Sequence, residues 1–220
     1  MISVNFEDMT TREPALPVFL LLKDRRCLVI GNGPAAQGRV LALLEAGAQV
    51  TVVTKDPSPA VSSSCTIFNR TFQKDDLEDT FFVVAASTDA IENADVARQC
   101  HERGIPINVV DDLEASSVIF PAIARRAQLT VAVSSNGTSP AMATYLRDSI
   151  APLLTDDLEQ VATLLEHTRH EIRATGRSTE GLAWHRLIAE LLGALAARDN
   201  LGVERILKDF LDNAKAGDHR

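Results

Sequence analysis

A buried strand that runs straight into a glycine turn and then a helix constrains this chain more than any other feature. Arg26-Cys-Leu-Val-Ile30 is apolar after its first residue, and Gly31-Asn-Gly-Pro-Ala-Ala36 follows without a spacer. Ala36, Val40, Leu43 and Leu44 then recur at helical spacing up to Ala46; Gly47 closes the helix, and Gln49-Val-Thr-Val-Val53 reads as a second strand. Strand, helix and strand in so short a stretch form a βαβ unit, which implies a parallel sheet. The turn inside it has the pattern GxGxxA. Gly31 permits a tight turn, Gly33 keeps no side chain between backbone and a pyrophosphate, and Ala36 lets the helix pack closely on the sheet. The helix start adds unpaired N–H groups and positive partial charge. Gly31, Asn32 and Gly33 are therefore expected to meet a bound dinucleotide; the alternative is a glycine-rich turn that binds nothing.

The alternation continues through strands at 66–70 and 81–86, a helix at 91–103 and a strand at 106–110. This predicts an α/β fold whose first domain, 1–112, is Rossmann-like, with residues 1–16 as a loose leader. Beyond Asp111 two β-rich runs, 117–124 and 129–134, are joined by the polar Arg125-Arg-Ala-Gln128. They predict an antiparallel hairpin within a segment 113–150. From Ser139 the pattern is helical. Val161, Leu165 and Ile172 share one face, as do Leu187, Leu191 and Leu195, and again Val203, Leu207 and Phe210. Three amphipathic helices, broken at 176–181 and near Gly202, predict a helical bundle over 151–220.

Composition excludes several classes. The formal net charge is −8, and no basic stripe exists for a nucleic-acid backbone. Apolar clusters such as 18–22 are too short to span a bilayer, and the N-terminus lacks the pattern of a signal peptide. Cys27, Cys65 and Cys100 are widely spaced without a CxxC, which suits a reducing compartment. The chain reads as cytoplasmic. An anionic substrate would need local arginines against the overall field.

The candidate site residues cluster at predicted strand ends. Strand two ends in Thr54-Lys55-Asp56, where an acid reads a ribose and a cation would favour a 2′-phosphate. NAD is the favoured cofactor, with NADP left open, and both charges also suit an ordinary solvated loop. Ala85-Ala-Ser-Thr-Asp89 leaves room beside a cofactor, and Thr88 or Asp89 equally serves as a helix cap. Asn108-Val-Val-Asp-Asp112 delivers two acids to the same sheet edge, one of them facing a substrate and partly buried, as suits a proton-abstracting group; the alternative is an acidic loop that caps the next element. The polar loop Ser134-Ser-Asn-Gly-Thr-Ser139 could hold an anion through its amides or simply cap a helix. Arg125, Arg126 and Arg147 are the nearest candidates for substrate carboxylates. His167 and His170 have no third ligand at sensible spacing, so no metal site is assigned.

Together these segments resemble the siroheme synthase N-terminal family, whose members are precorrin-2 dehydrogenases often combined with sirohydrochlorin ferrochelatase activity. The resemblance runs from Leu16 to about Leu154. Its cues are Pro17 and Phe19, the glycine turn, Glu45-Ala-Gly-Ala-Gln49, Ala85–Asp89, Asn108–Asp112, Phe120-Pro121, and Val131-Ala-Val-Ser-Ser135 with Gly137. It implies that Asp111 is the catalytic group, acting as base in the oxidation and again when ferrous iron enters the product. It implies cofactor contacts at Pro34, Ala35, Lys55 and Asp56, and a tetrapyrrole-site serine, phosphorylated in some members, at Ser135. It also implies a homodimer formed through the hairpin segment; the methyltransferase domain that some members carry is not expected in a chain of this length. Two positions depart from the family: Asn136-Gly137 stands where Gly-Gly is common, and Lys55 where an acid is common. The alternative from another class is an NAD-binding regulatory module of the potassium-transport type, which shares the glycine turn but needs no acid at Asp111.

Overall fold

The computed structural model describes residues 15–56 and 64–216. Residues 1–14 of the expected leader lie outside the described residues. Strands β1 (Arg26–Ile30), β2 (Gln49–Thr54), β3 (Thr66–Asn69), β4 (Phe82–Ala85) and β5 (Ile107–Val109) form one sheet in the order β3-β2-β1-β4-β5. Every neighbouring pair is parallel. Helices α1 (Pro34–Glu45) and α2 (Ala90–Arg103) cover its two faces. Cys27, Val29, Val50, Val52, Phe82 and Val84 pack against Ala36, Val40 and Leu43 of α1. Leu28, Ile30, Val83, Ala85, Ile107 and Val109 pack against Val96, Ala97 and Cys100 of α2. Because both faces are buried, the central strands read as unbroken apolar runs rather than as alternation. Each fully buried Val, Ile or Phe contributes about 1.5–3 kcal/mol.

Strand order reverses between β1 and β4, which makes the carboxyl edge there the crevice of the sheet. One short element was not anticipated: a 3₁₀ turn at Lys74–Leu77, where Arg70 grips Asp76 through two bonds of 2.8 and 2.5 Å. The strand expected over 117–124 is a correction. The Ser117 and Val118 amides both donate to the Ile107 carbonyl, at 2.9 and 3.0 Å, and Val118 and Phe120 pack over the α1 face of the sheet. Only from Ala122 does the chain pair as a strand.

The chain divides into two compact units. The first holds the described residues up to Phe120 together with Ser134–Ser139; the second holds Pro121–Val133 and the described residues from Pro140 onwards. In the second, β6 (Ala122–Arg126) and β7 (Leu129–Val133) form the antiparallel hairpin, and α3 (Pro140–Ile150) packs on it. Arg125 and Arg126 belong to β6 rather than to the connection, and the turn is made by Ala127 at φ 45° with Gln128. Helices α4 (Asp156–Ala174), α5 (Trp184–Ala196) and α6 (Asn200–Ala216) bury Val161, Leu187 and Leu191 among Trp184, Leu195, Val203 and Phe210. The last break is not at Gly202, which lies inside α6. Arg198 at φ 55° turns the chain, and the Asp199 carboxylate accepts from the Gly202 amide at 2.8 Å.

Candidate active site

The turn after β1 is shaped by contact as well as by conformation. Gly31 has φ +106°, and a Cβ built there would lie 2.2 Å from the Ala86 carbonyl oxygen, beyond β4. A Cβ on Gly33 meets nothing within 4 Å, so the space over the turn is open. Gly33 is the N-cap of α1 and offers no capping side chain, while Pro34 occupies the first turn. The Gly31 amide donates to the Val53 carbonyl at 2.9 Å, and no side chain caps the start of α1, which leaves the first helical N–H groups for a phosphate. The Asn32 side chain donates to the Asp56 carbonyl, tying the turn to the end of β2. Pro34, Ala35, Lys55 and Asp56 are all exposed there. These residues suit a dinucleotide: a glycine-lined surface, a helix start, and a carboxylate at the next strand end.

Asp89 does what the plainer reading expected of it. Its carboxylate accepts from the Ile91 amide at 2.9 Å and the Glu92 amide at 3.4 Å, capping α2. Thr88 is exposed beside it. Asn93 closes this loop by exchanging two bonds with the Ser87 backbone, at 3.0 and 2.9 Å.

The two acids after β5 separate into different tasks. Asp112 accepts from the Ala115 amide at 3.0 Å, and its carbonyl accepts from the Ser116 hydroxyl at 2.7 Å. It holds the loop. Asp111 has φ 61° and is exposed, and among the described residues its carboxylate accepts no hydrogen bond. The expectation of a partly buried acid is corrected: both carboxylates lie in the open at the carboxyl edge.

A residue that no sequence motif marks, Arg39, lies within electrostatic reach of Asp111. The Arg39 guanidinium stacks 4.0 Å above the centre of the Phe120 ring, and Phe120 in turn packs on Phe82 at 5.9 Å. The Arg39 Nε is buried without a hydrogen-bond partner. Burial pulls the Arg39 pKa below its usual value, and the nearby Asp111 carboxylate works in the opposite direction. Arg39 falls three residues after Ala36 and one before Val40, on the flank of the inward stripe of α1. A charge at that position was the available signal. Asn108, on the same sheet face as its partner Val84, donates to the Val118 carbonyl at 2.9 Å and leaves its own Oδ1 buried and unpaired.

The serine loop belongs to the first unit. The Ser135 hydroxyl donates to the Ser139 carbonyl at 2.8 Å and accepts from the Ser139 amide at 2.9 Å, so it closes the loop. Asn136 adopts φ 54°, and its side-chain oxygen accepts from the Ala15 amide at 3.3 Å. In the second unit, Arg126 pairs with Asp156 and Glu159 of α4, Arg147 pairs with Asp148, and Arg125 is exposed on β6. His167 and His170 are exposed on α4. Among the described residues no group of three His, Cys, Asp or Glu could hold a metal ion, and no helix is long and apolar enough to cross a membrane.

Comparison with known proteins places these features in context. Residues 18–122 match the NAD(P)-binding family model, and residues 126–152 match the sirohaem biosynthesis protein central model. A siroheme synthase of Thioalkalivibrio sulfidiphilus is 36% identical over 215 residues, which is 91% of this chain and 44% of that one. A siroheme synthase of Citrobacter koseri is 35% identical over 218 residues, 93% of this chain and 46% of its own. The chain thus spans less than half the length of these relatives. Among solved structures, SirC, a precorrin-2 dehydrogenase, superposes with a TM-score of 0.68 at 22% identity, over 89% of this chain and 98% of that one. At that identity the likeness establishes the fold.

Proposed function

This chain belongs to the siroheme synthase N-terminal family, and from that premise we propose that it oxidises precorrin-2 to sirohydrochlorin with NAD as the electron acceptor. The observation that carries the reading is Asp111, an exposed acid whose carboxylate accepts no hydrogen bond among the described residues, at the same carboxyl edge of the sheet as the uncapped glycine turn. With its pyrophosphate held at that turn, NAD would supply the acceptor for one hydride. Precorrin-2 loses two hydrogens in the reaction, one as that hydride and one as a proton, and Asp111 takes the proton. Asp112 keeps the loop in place meanwhile, through Ala115 and Ser116. The Asp56 carboxylate, at the end of β2, supports NAD over NADP through a ribose hydroxyl, with Lys55 the competing cation.

The finer contacts are part of the same proposal. Ser135 is assigned to the tetrapyrrole by the resemblance, Asn136 as its neighbour in the polar loop, and Arg125 and Arg126 as candidates for substrate carboxylates, with Arg126 sharing its charge with α4. Sirohydrochlorin can then accept ferrous iron, losing its two pyrrole N–H protons one at a time, each taken by Asp111 and passed to solvent before the next. A homodimer is supported by the apolar side chains that α3 leaves exposed, Met142, Tyr145 and Leu146. The absence of a membrane-crossing helix among the described residues agrees with a cytoplasmic site of action.

Anaerobic incubation with precorrin-2 and NAD tests the reading. Sirohydrochlorin and NADH should appear in equal amounts, and Asp111→Asn should slow the reaction about 10²–10⁴-fold while NAD still binds. A wild-type protein that makes neither product sinks the proposal and leaves the regulatory nucleotide-binding module as the better account. Turnover by Asp111→Asn within a few-fold of wild type would remove Asp111 as the base.

A further inference from the structure

We infer that Arg39 is the anion-receiving residue of the crevice: its guanidinium takes one carboxylate of the polycarboxylate macrocycle and sets the substrate beside Asp111. The inference rests on the tetrapyrrole reading above and names a contact within it. Three observations support it.

The first is that Arg39 is held but not satisfied. It is stacked on Phe120 at 4.0 Å, with Nε buried and unpaired. Taking a charged donor out of water without a partner is costly, and a planar guanidinium matches a carboxylate through two parallel bonds. The ring beneath fixes the plane of the fork before any ligand arrives. A preorganised fork loses less freedom when it binds.

The second is position. Arg39 lies five residues into α1, and side chains on a helix lean back towards its N-terminus, here towards the carboxyl edge of the sheet. The electrostatic pull between Arg39 and Asp111 agrees with that direction. Phe120 and Asn108 place the group on the β4–β5 side of the crevice, whereas Lys55 and Asp56 lie across β1 at the end of β2. A cofactor spans from the β2 end across the turn, so its ribose and pyrophosphate are served elsewhere and the free fork is left for the substrate.

The third is the supply of cations. Lys23, Arg25 and Arg26 sit at the amino end of β1. Arg70 is paired with Asp76, and Arg98 with Asp95 and Glu102, while Arg103 donates to the Gln99 carbonyl at 3.1 Å. Among the described residues of this unit, Arg39 is the cation on the β4–β5 side of the carboxyl edge. In a chain of net charge −8, a substrate bearing several carboxylates needs such a group.

The test compares wild type with Arg39→Met and Arg39→Lys in two assays. One is steady-state oxidation of precorrin-2; the other is equilibrium binding of sirohydrochlorin, followed by absorbance without NAD. Arg39→Met should raise the KM for precorrin-2 and the Kd for sirohydrochlorin about ten- to a hundredfold, with the calorimetric Kd for NAD unchanged within twofold. Arg39→Lys keeps charge and length but not the fork, so it should lose several-fold, and it carries the test if Arg39→Met does not fold. Unchanged tetrapyrrole binding in both variants, whatever their melting temperature, would show a packing role and overturn the assignment. A weakened NAD affinity with normal sirohydrochlorin binding would overturn it in favour of the cofactor. A wild type that neither oxidises precorrin-2 nor binds sirohydrochlorin fails one step earlier, at the proposed function, and removes this assignment with it.

Discussion

Gly31 and Gly33 stand two residues apart and constrain the protein in different ways. At Gly31 the backbone has φ +106°, and an added Cβ would sit 2.2 Å from the Ala86 oxygen and 2.7 Å from the Ser87 nitrogen, both backbone atoms that cannot rotate away. Gly31→Ala must therefore move the end of β4 or strain its own turn, at a cost of about 1–3 kcal/mol. Gly33 has an ordinary φ of −65°, and its Cβ would enter open space. Gly33→Ala should leave stability within about 0.5 kcal/mol of wild type, as expected of a substitution that touches nothing, and still weaken NAD by intruding where the pyrophosphate lies. Urea midpoints and NAD titrations on both variants separate the two effects. A Gly33→Ala protein that binds NAD normally would mean that the cofactor backbone does not approach this turn. Asp111 and Asp112 divide similarly: Asp112 holds a loop, and Asp111 is the base of the proposed reaction. That division turns on a single positive φ, which no residue pattern displays.

At the level of elements, what the sequence made legible depends on where the apolar surface goes. β1, β2 and β4 are buried on both faces, and their continuous apolar runs stand out. The run Val118-Ile-Phe120 is as apolar but packs as a cover on the α1 face, without strand partners, so hydrophobicity placed the start of the hairpin too early. Arg39 was illegible for a related reason: what makes its site is a ring far along the chain. Burial also leaves a measurable trace in β1 and α2. It pushes the Cys27 thiol up to about 11 and the Cys100 thiol up to about 12, on opposite faces of the sheet. Above about pH 9 these thiols ionise in the unfolded chain but stay protonated in the folded one. The unfolded state then binds fewer protons, so stability is full below that pH and falls as pH rises towards 11. Each thiol contributes a slope of about 1.4 kcal/mol per pH unit. Denaturation of wild type and Cys27→Ala between pH 8 and 10.5 should show the variant losing stability more gently by that amount. Parallel slopes would mean that Cys27 is more open to solvent than its 1% exposure indicates.

At the scale of the whole molecule, charge sets a conflict that the local sites must resolve. Thirty acidic residues against 22 basic ones leave a net charge of −8, while the proposed cofactor and substrate are themselves anions. The long-range field repels them, and the attraction is short-range: the uncapped start of α1 for the pyrophosphate and the Arg39 fork for a carboxylate. The two contributions respond differently to salt. The Debye length shrinks from about 30 Å at 0.01 M to about 8 Å at 0.15 M, so distant repulsion is screened while groups in contact, partly shielded from solvent, are affected much less. Raising ionic strength over that range should therefore lower the KM for precorrin-2, by about two- to fivefold for a field of this size. Arg39→Met should show the same relative gain from a weaker starting affinity, since the variant alters the contact and barely changes the field. A KM that climbs steadily with salt in wild type, and not in Arg39→Met, would mean that the crevice attracts its substrate from a distance. The net charge would then be a poor guide to what an approaching ligand meets.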